Sequence, residues 1–386
     1  MLDHIARLSE ERQQFRDSLE RTIERVSPVG RVQELDNAKV FDADLHAALG
    51  ELGAFGIGVP EEQGGVGGDA IDQVVTLEVL GRKATSMAVF TVVHYMITRI
   101  LRENGDSEQT ERYLRPLAQG SIKASFCLTE AGGGTDILNS MRTRATKVAE
   151  GWQLNGNKMW ISGASTSDIY VVLARTSEHH SRGISMFLVP AKAPGVSARE
   201  VATMAINGYD TNEIAFDQVS VGNEMLLGEV NNGFPQVIAT LNGERMNAAA
   251  VAVGIGRGAI EVARDYAAER QAFGRPIGQF QAVQHQLAVA GTAAEAAWLL
   301  TLEAARNDAE GRPTDVVSSM AKYASARAAV VATDTGMDIF AGAGLDTSLP
   351  IQRYLRDARL YSFAPLNNNT TLNMIGERWL GLPRSK

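Results

Sequence analysis

Four stretches of this chain carry side chains whose types and spacing could do chemistry. The first is "FCLTEAGGGTD" (126–136), a strand-like run into three glycines flanked by Thr129, Thr135 and Asp136. Without a Cβ, such a turn can approach a ligand closely and aim N–H groups at it; a plain flexible turn is the competing reading. The second, "GNKMWISG" (156–163), sets Trp160 beside Ser162. An indole face next to a hydroxyl suits a flat aromatic ligand, although a core-filling tryptophan is commoner. The third, "AAERQAFGRPIGQFQAVQ" (267–284), places Arg270 before a Phe-Gly-x-Pro turn and Gln281. A fixed guanidinium near backbone amides can hold a pyrophosphate, and the same residues also make a helix–loop–helix joint. The fourth is Glu244 in "LNGERMNAAAVAVG" (241–254). Leu241, Ala248, Val251 and Ile255 share its helical face, so the carboxylate sits in an apolar stripe. Lost hydration raises the pKa and basicity of such a group. An acid near a helix start, next to Arg245, is the alternative.

Those residues need elements to hold them. Residues 1 to about 122 read as helical, with "LSEERQQFRDSLERTIERV", "AIDQVVTLEVLGRKA" and "FTVVHYMITRILRENG", the last stopped at Gly105. From about 123 to 229, short runs of Val, Ile, Phe and Trp alternate with Gly, Asn, Ser and Pro. They predict strands of a small barrel or sandwich, with "LNGN" (154–157) as a hairpin turn. From about 230 onward alanine-rich helices return, at 243–270 and 282–311. "GIGRG" (254–258) lies mid-helix with no strand before it, so a dinucleotide loop fails its context and close helix packing accounts for the glycines. The chain is therefore expected to be mainly α with a central β-domain, divided as 1–122, 123–229 and 230–386.

The 386 residues are 45% hydrophobic and 21% charged, an ordinary globular balance that is long enough for two or three domains. A net charge of -8 with no Lys/Arg block argues against a nucleic-acid or anionic-membrane surface. The single cysteine, Cys127, excludes an internal disulfide and fits a reducing, cytoplasmic setting. The N-terminal stretch mixes acids and bases and lacks an apolar core, unlike a signal or transit peptide. No apolar run reads as long enough to span a bilayer. His179 and His180 lie in a polar loop and read as solvated, so no metal is expected.

Taken in order, "PEEQGGVGG", "FCLTEAGGGTD", "LNGNKMWISG", "ERQAFGRPIGQFQAVQ", "GAG", "LRDAR" and "GERWLGLPR" resemble the signatures of the acyl-CoA dehydrogenase family over essentially the whole chain. The resemblance implies an N-terminal helical domain, a middle β-barrel or sandwich and a C-terminal four-helix bundle. It implies FAD, a homotetramer or homodimer, an acyl-CoA thioester substrate and an electron-transferring flavoprotein as acceptor. By position, Phe126, Leu128 and Thr129 should line the isoalloxazine, Thr135 should touch cofactor and substrate, Trp160 should cover the flavin, Ser162 should hydrogen-bond near its N5, and Ile161 should also bind the cofactor. Arg270, Phe280, Gln281 and a loop from Asp338 to Gly342 should reach the FAD of a neighbouring subunit. Asp338 departs from the family's usual glutamine, and a carboxylate repels a pyrophosphate.

The family reaction removes an α-proton with a carboxylate while the β-hydrogen leaves as hydride to the flavin. Many members carry that base as Glu after "RDA(K/R)", where this chain has Pro365. Isovaleryl- and long-chain-like members place it on a bundle helix, at the position of Glu244. Arg245 and Leu366 are the further expected substrate contacts. Proline has no N–H for the thioester carbonyl, which removes a donor worth roughly 3 kcal/mol: either Leu366 N–H takes over through a shifted loop, or the carbonyl is held differently, or the reaction is not ordinary dehydrogenation. Asn367 and Asn369 stand where the family contacts FAD with Thr and Gln, and neutral amides can replace both. Asn368 reads as part of a capped surface turn, and Ala364 as extra room near the reacting carbons. The alternative function keeps the fold but acts on an acyl-carrier-protein thioester, or runs a desulfinase- or monooxygenase-like reaction. A flavin-free binding homologue is disfavoured by the intact "FCLTE", "MWIS" and "RQAFG" motifs.

Overall fold

The computed structural model describes residues 8–180 and 182–385, with the side chains of Ala239 and Leu241 outside the described set. The first part is helical: α1 (Glu10–Val26), α2 (Val29–Ala38), α3 (Ala43–Glu51), α4 (Ala70–Lys83) and α5 (Thr85–Asn104). Local chemistry sets the ends. Asp69 and Asp72 form a reciprocal capping box at the start of α4, and Gly105 N–H closes α5 on the carbonyl of Leu101.

The middle part is a sheet of β1 (Ala124–Cys127), β2 (Arg144–Val148), β3 (Gly151–Ser162), β4 (Ile169–Arg175), β5 (Ile184–Pro190), β6 (Val196–Glu200), β7 (Thr211–Val221) and β8 (Leu226–Leu227). The strands run in the order β6-β7-β3-β2-β4-β5-β8, with β1 parallel to β4. β4 and β5 are buried along nearly their whole length and form the sheet's core. The expected hairpin at Leu154–Asn157 is corrected: those residues lie inside β3, and the turn falls between Val148 and Gly151. Gly156 is there for closeness, since a Cβ on it would lie 2.5 Å from Thr143 Cα. The ladder against β7 slips at this point.

The third part is α6 (Gly233–Glu269), the β9–β10 hairpin (Gln271–Ala272, Arg275–Pro276), α7 (Gln281–Ala309), α8 (Asp315–Phe340), α9 (Ile351–Ala358) and α10 (Asn368–Arg378). α6 is the central rod. Ala248 to Val253, Ile255, Ala259 and Ala263 are all buried. Its small residues let other backbones come close: a Cβ on Gly254 would lie 2.2 Å from the Glu78 carbonyl of α4. Close packing, as read from "GIGRG", is what those glycines serve. Between them Arg257 is buried and paired with Glu78 at 3.0 Å and Glu295 at 2.6 Å, tying α4 and α7 to α6. One sequence expectation needs correcting here. Asn242–Glu269 and Gln281–Ala309 are each long and apolar enough to cross a membrane by length and composition, because a core helix of a bundle meets the same test. The first is mostly buried inside the protein.

The α4–α6 crossing has a direct consequence. Gly254→Ala drives a methyl into the α4 backbone and is expected to destabilise by roughly 1–3 kcal/mol. Gly256→Ala, whose Cβ would meet Ala329 Cα at 3.4 Å, is expected to be neutral or stabilising by up to about 1 kcal/mol. Thermal unfolding of the two variants beside wild type checks the contrast.

Candidate active site

β1 and β3 bring two of the chemistry-bearing stretches side by side. Ser125 and Cys127 are buried, while Phe126, Leu128 and Thr129 are half-buried, the last two where the chain leaves β1. Met159 N–H donates to the Thr129 carbonyl at 2.9 Å, and Ser125 Oγ donates to the Ser162 carbonyl at 2.7 Å. The register of β3 against β7 shifts between Lys158 and Ile161. Within that shift Trp160 takes φ 63°, and the residue is 56% exposed. A bulky aromatic in the left-handed region persists only where its surroundings over-determine it, and such outliers cluster at functional sites. The core-filling alternative for Trp160 is thereby excluded. The Ile161 side chain is buried, which leaves its backbone as the part that could meet a ligand. Ser162 stays half-buried.

The glycine turn beyond Thr129 leaves Gly132, Gly134, Thr135 and Asp136 exposed. Thr135 Oγ1 accepts from Asn367 Nδ2 at 3.1 Å, joining the β-domain turn to the start of α10. Asn367 is also the cap of α10, its Oδ1 accepting from Thr370 N–H at 2.8 Å. Asn369 is exposed. Asn368 is not a plain surface residue: its Oδ1 accepts from Lys322 Nζ at 2.8 Å. Lys322 is buried, and burial pulls its ammonium down to about 8. Pro365 is exposed between half-buried Ala364 and Leu366, and Leu366 N–H has no hydrogen-bond partner among the described residues.

Glu244 lies well inside α6, which begins at Gly233. A helix dipole acts within the first turn, so the helix-start alternative loses its basis. Ala248, Val251 and Ile255 on its face are buried. Glu244 is half-buried as a residue, and its carboxyl has no hydrogen-bond or ion-pair partner among the described residues. Burial pushes it up to about 7, against the opposing pull of Arg245. Arg245 is itself buried and donates to Asn242 Oδ1 at 2.6 Å.

The third stretch faces outward. Arg270 and Gln281 are exposed, and Phe280 is half-buried. The sequence reading missed Arg275, whose guanidinium stacks 4.3 Å from the Phe280 ring centre. It also missed Phe273, 96% exposed beside them. The expected loop at Asp338 is corrected: Asp338 is an exposed residue inside α8, and the chain turns only at Ala341, with φ 49°. Gly342 follows with open space around it.

A half-buried apolar strand edge, an exposed indole on a strained backbone and an open glycine turn form a wall suited to a flat ring with polar edges. Separately, the bundle helix carries the Glu244 carboxyl, whose hold on its proton is raised by burial. Family models for the N-terminal, middle and C-terminal domains of acyl-CoA dehydrogenase match residues 9–121, 125–219 and 231–380. An acyl-CoA dehydrogenase of Bacillus subtilis is 34% identical over 92% of this chain and 94% of its own. A solved chain from work on the electron transferring flavoprotein of Acidaminococcus fermentans is 32% identical, with a TM-score of 0.93 over 97% of this chain and 98% of that one. The FAD complex of PigA is 26% identical, with a TM-score of 0.91 over 97% and 98% of the two chains. This chain belongs to the acyl-CoA dehydrogenase family. It is an oxidoreductase, and members of its family bind FAD.

The Glu244 pKa has a stability signature with a definite sign. A carboxyl raised from 4.5 to about 7 holds its proton in the fold. Its contribution is intact below the unfolded pKa and is lost as pH rises through that window. Glu244→Gln is expected to raise Tm at pH 8, reflecting at most about 3 kcal/mol. At pH 4.5 the two proteins should unfold together. Calorimetry of the flavin-free proteins at both pH values checks it.

Proposed function

We propose that this protein is a FAD-dependent acyl-CoA dehydrogenase that forms the 2-enoyl-CoA, with Glu244 as the base that takes the α-proton. The observation that carries the reading is the solitary Glu244 carboxyl on the apolar face of α6, raised to about 7. A base poised near the working pH combines correct protonation with useful driving force. On this reading the base sits on the bundle helix, as in isovaleryl- and long-chain-like members, and Pro365 at the other family position supports it. When bound, FAD supplies the hydride acceptor.

Trp160 covers the ring while Phe126, Leu128, Thr129 and Ser162 line it. The unpartnered Leu366 N–H replaces the donor that Pro365 lacks and holds the thioester carbonyl. Thr135, fixed by Asn367, sits where cofactor and substrate meet. The exposed Arg270 and Gln281, with half-buried Phe280, reach a second subunit's cofactor in a homotetramer or homodimer, and an electron-transferring flavoprotein takes the electrons. The missing N–H of Pro365 also keeps a second reading in view: an acyl-carrier-protein thioester, held differently at its carbonyl.

Anaerobic titration with a panel of acyl-CoAs, followed by flavin absorbance, tests the proposal. Some thioesters should bleach the wild-type flavin, and Glu244→Gln should lose bleaching by at least about 100-fold in rate. Bleaching should slow as pH falls below about 7. A bound flavin that no acyl-CoA bleaches, but an acylated carrier protein does, would favour the second reading.

A further inference from the structure

Lys158 and Glu130 form an ion pair at 2.9 Å in which the lysine side chain is 0% exposed and the glutamate 8%. Neither has a role in the site described above, and both adjoin the backbone of residues that line it. Lys158 Nζ also donates to the Leu128 carbonyl at 3.0 Å. Glu130 accepts from Arg142 N–H at 2.6 Å and Thr143 N–H at 3.0 Å. Burial alone would raise the Glu130 pKa, but Lys158 and these donors outweigh it and hold the carboxyl below its usual range. Burial lowers the Lys158 pKa, with Glu130 opposing it. The pair is therefore a closed set of charge-assisted hydrogen bonds between the end of β1, β3 and the start of β2.

Such a pair is a poor means of raising stability, because desolvation offsets its attraction and apolar replacements do as well. Its placement suggests another role. Leu128 and Thr129 adjoin Glu130 on one side of the site. Lys158 stands directly before the register shift that turns Trp160 outward on the other. A one-residue slip of β3 would exchange Ile161 and Trp160 between core and surface. The enclosed Lys158 cannot touch a cofactor, so it acts through the backbones it joins.

We propose that the Lys158–Glu130 pair is a positioning device that locks the β3 register shift and the Leu128–Thr129 segment together, presenting Trp160 and Thr129 in the geometry that receives the flavin. This rests on the flavin reading above. The test is FAD binding by the flavin-free full chain, measured by flavin fluorescence, for wild type and for Lys158→Met with Glu130→Leu. The double substitution removes both charges together, which avoids stranding one in the core.

The double variant is expected to keep the wild-type circular dichroism spectrum. Its FAD Kd should rise at least tenfold, with a shifted visible spectrum of the flavin still bound. Gly254→Ala, destabilised far from the strands, should retain the wild-type Kd. An unchanged Kd and spectrum in the double variant would overturn the inference and leave the flavin reading standing. An equal Kd rise in Gly254→Ala would overturn it too, by showing a mere stability effect. No FAD binding to wild type would overturn both readings. Should the double variant not fold, Lys158→Met with Glu130→Gln, which also removes both charges, carries the same comparison with the same outcomes.

Discussion

The arrangement depends on how closely α6 can approach its neighbours. Its glycines and alanines bring the α4 backbone within the reach of a single methyl at Gly254. Dispersion and burial reward that closeness, and the loss of helix propensity at glycine is small beside it. Because α6 runs unbroken from Gly233 to Glu269, the same rod that locks the core also carries Glu244. A rigid element holds a reacting group more tightly than a loop does.

Several charges inside the protein are answered by a partner. Arg257 meets Glu78 and Glu295. Lys158 meets Glu130, and Lys322 meets the Asn368 amide. Glu244 has no such partner among the described residues, and burial raises its pKa. A desolvated carboxyl kept on an apolar face costs stability, and proteins keep such groups where chemistry needs them. The strained backbone at Trp160 is a similar local cost, held in place by the pairing around it.

Several features were legible because they are local. Helix periodicity, the stop at Gly105, strand-like runs and the apolar stripe beside Glu244 all depend on residues a few positions apart. Other features were misread for physical reasons. "LNGN" carries the chemistry of a hairpin turn, yet Gly156 answers a close approach to Thr143, which the local string does not contain. Ile161 and Trp160 are neighbours whose faces depend on a register shift in a ladder with β7. Asn368 looked like a surface turn because its partner Lys322 lies 46 residues away.

The amino-acid order by itself determined the helical–β–helical plan, the family resemblance, and the candidates at Trp160, Arg270 and Glu244, since periodicity and short motifs are properties of contiguous residues. Only the tertiary structure decided which tryptophan face is open, that Glu244 stands away from the helix start and unpaired, and that Thr135 meets Asn367 across 232 residues. Burial, register and long-range hydrogen bonding arise when distant segments pack, and the degree of desolvation around a carboxyl exists only once that packing is complete.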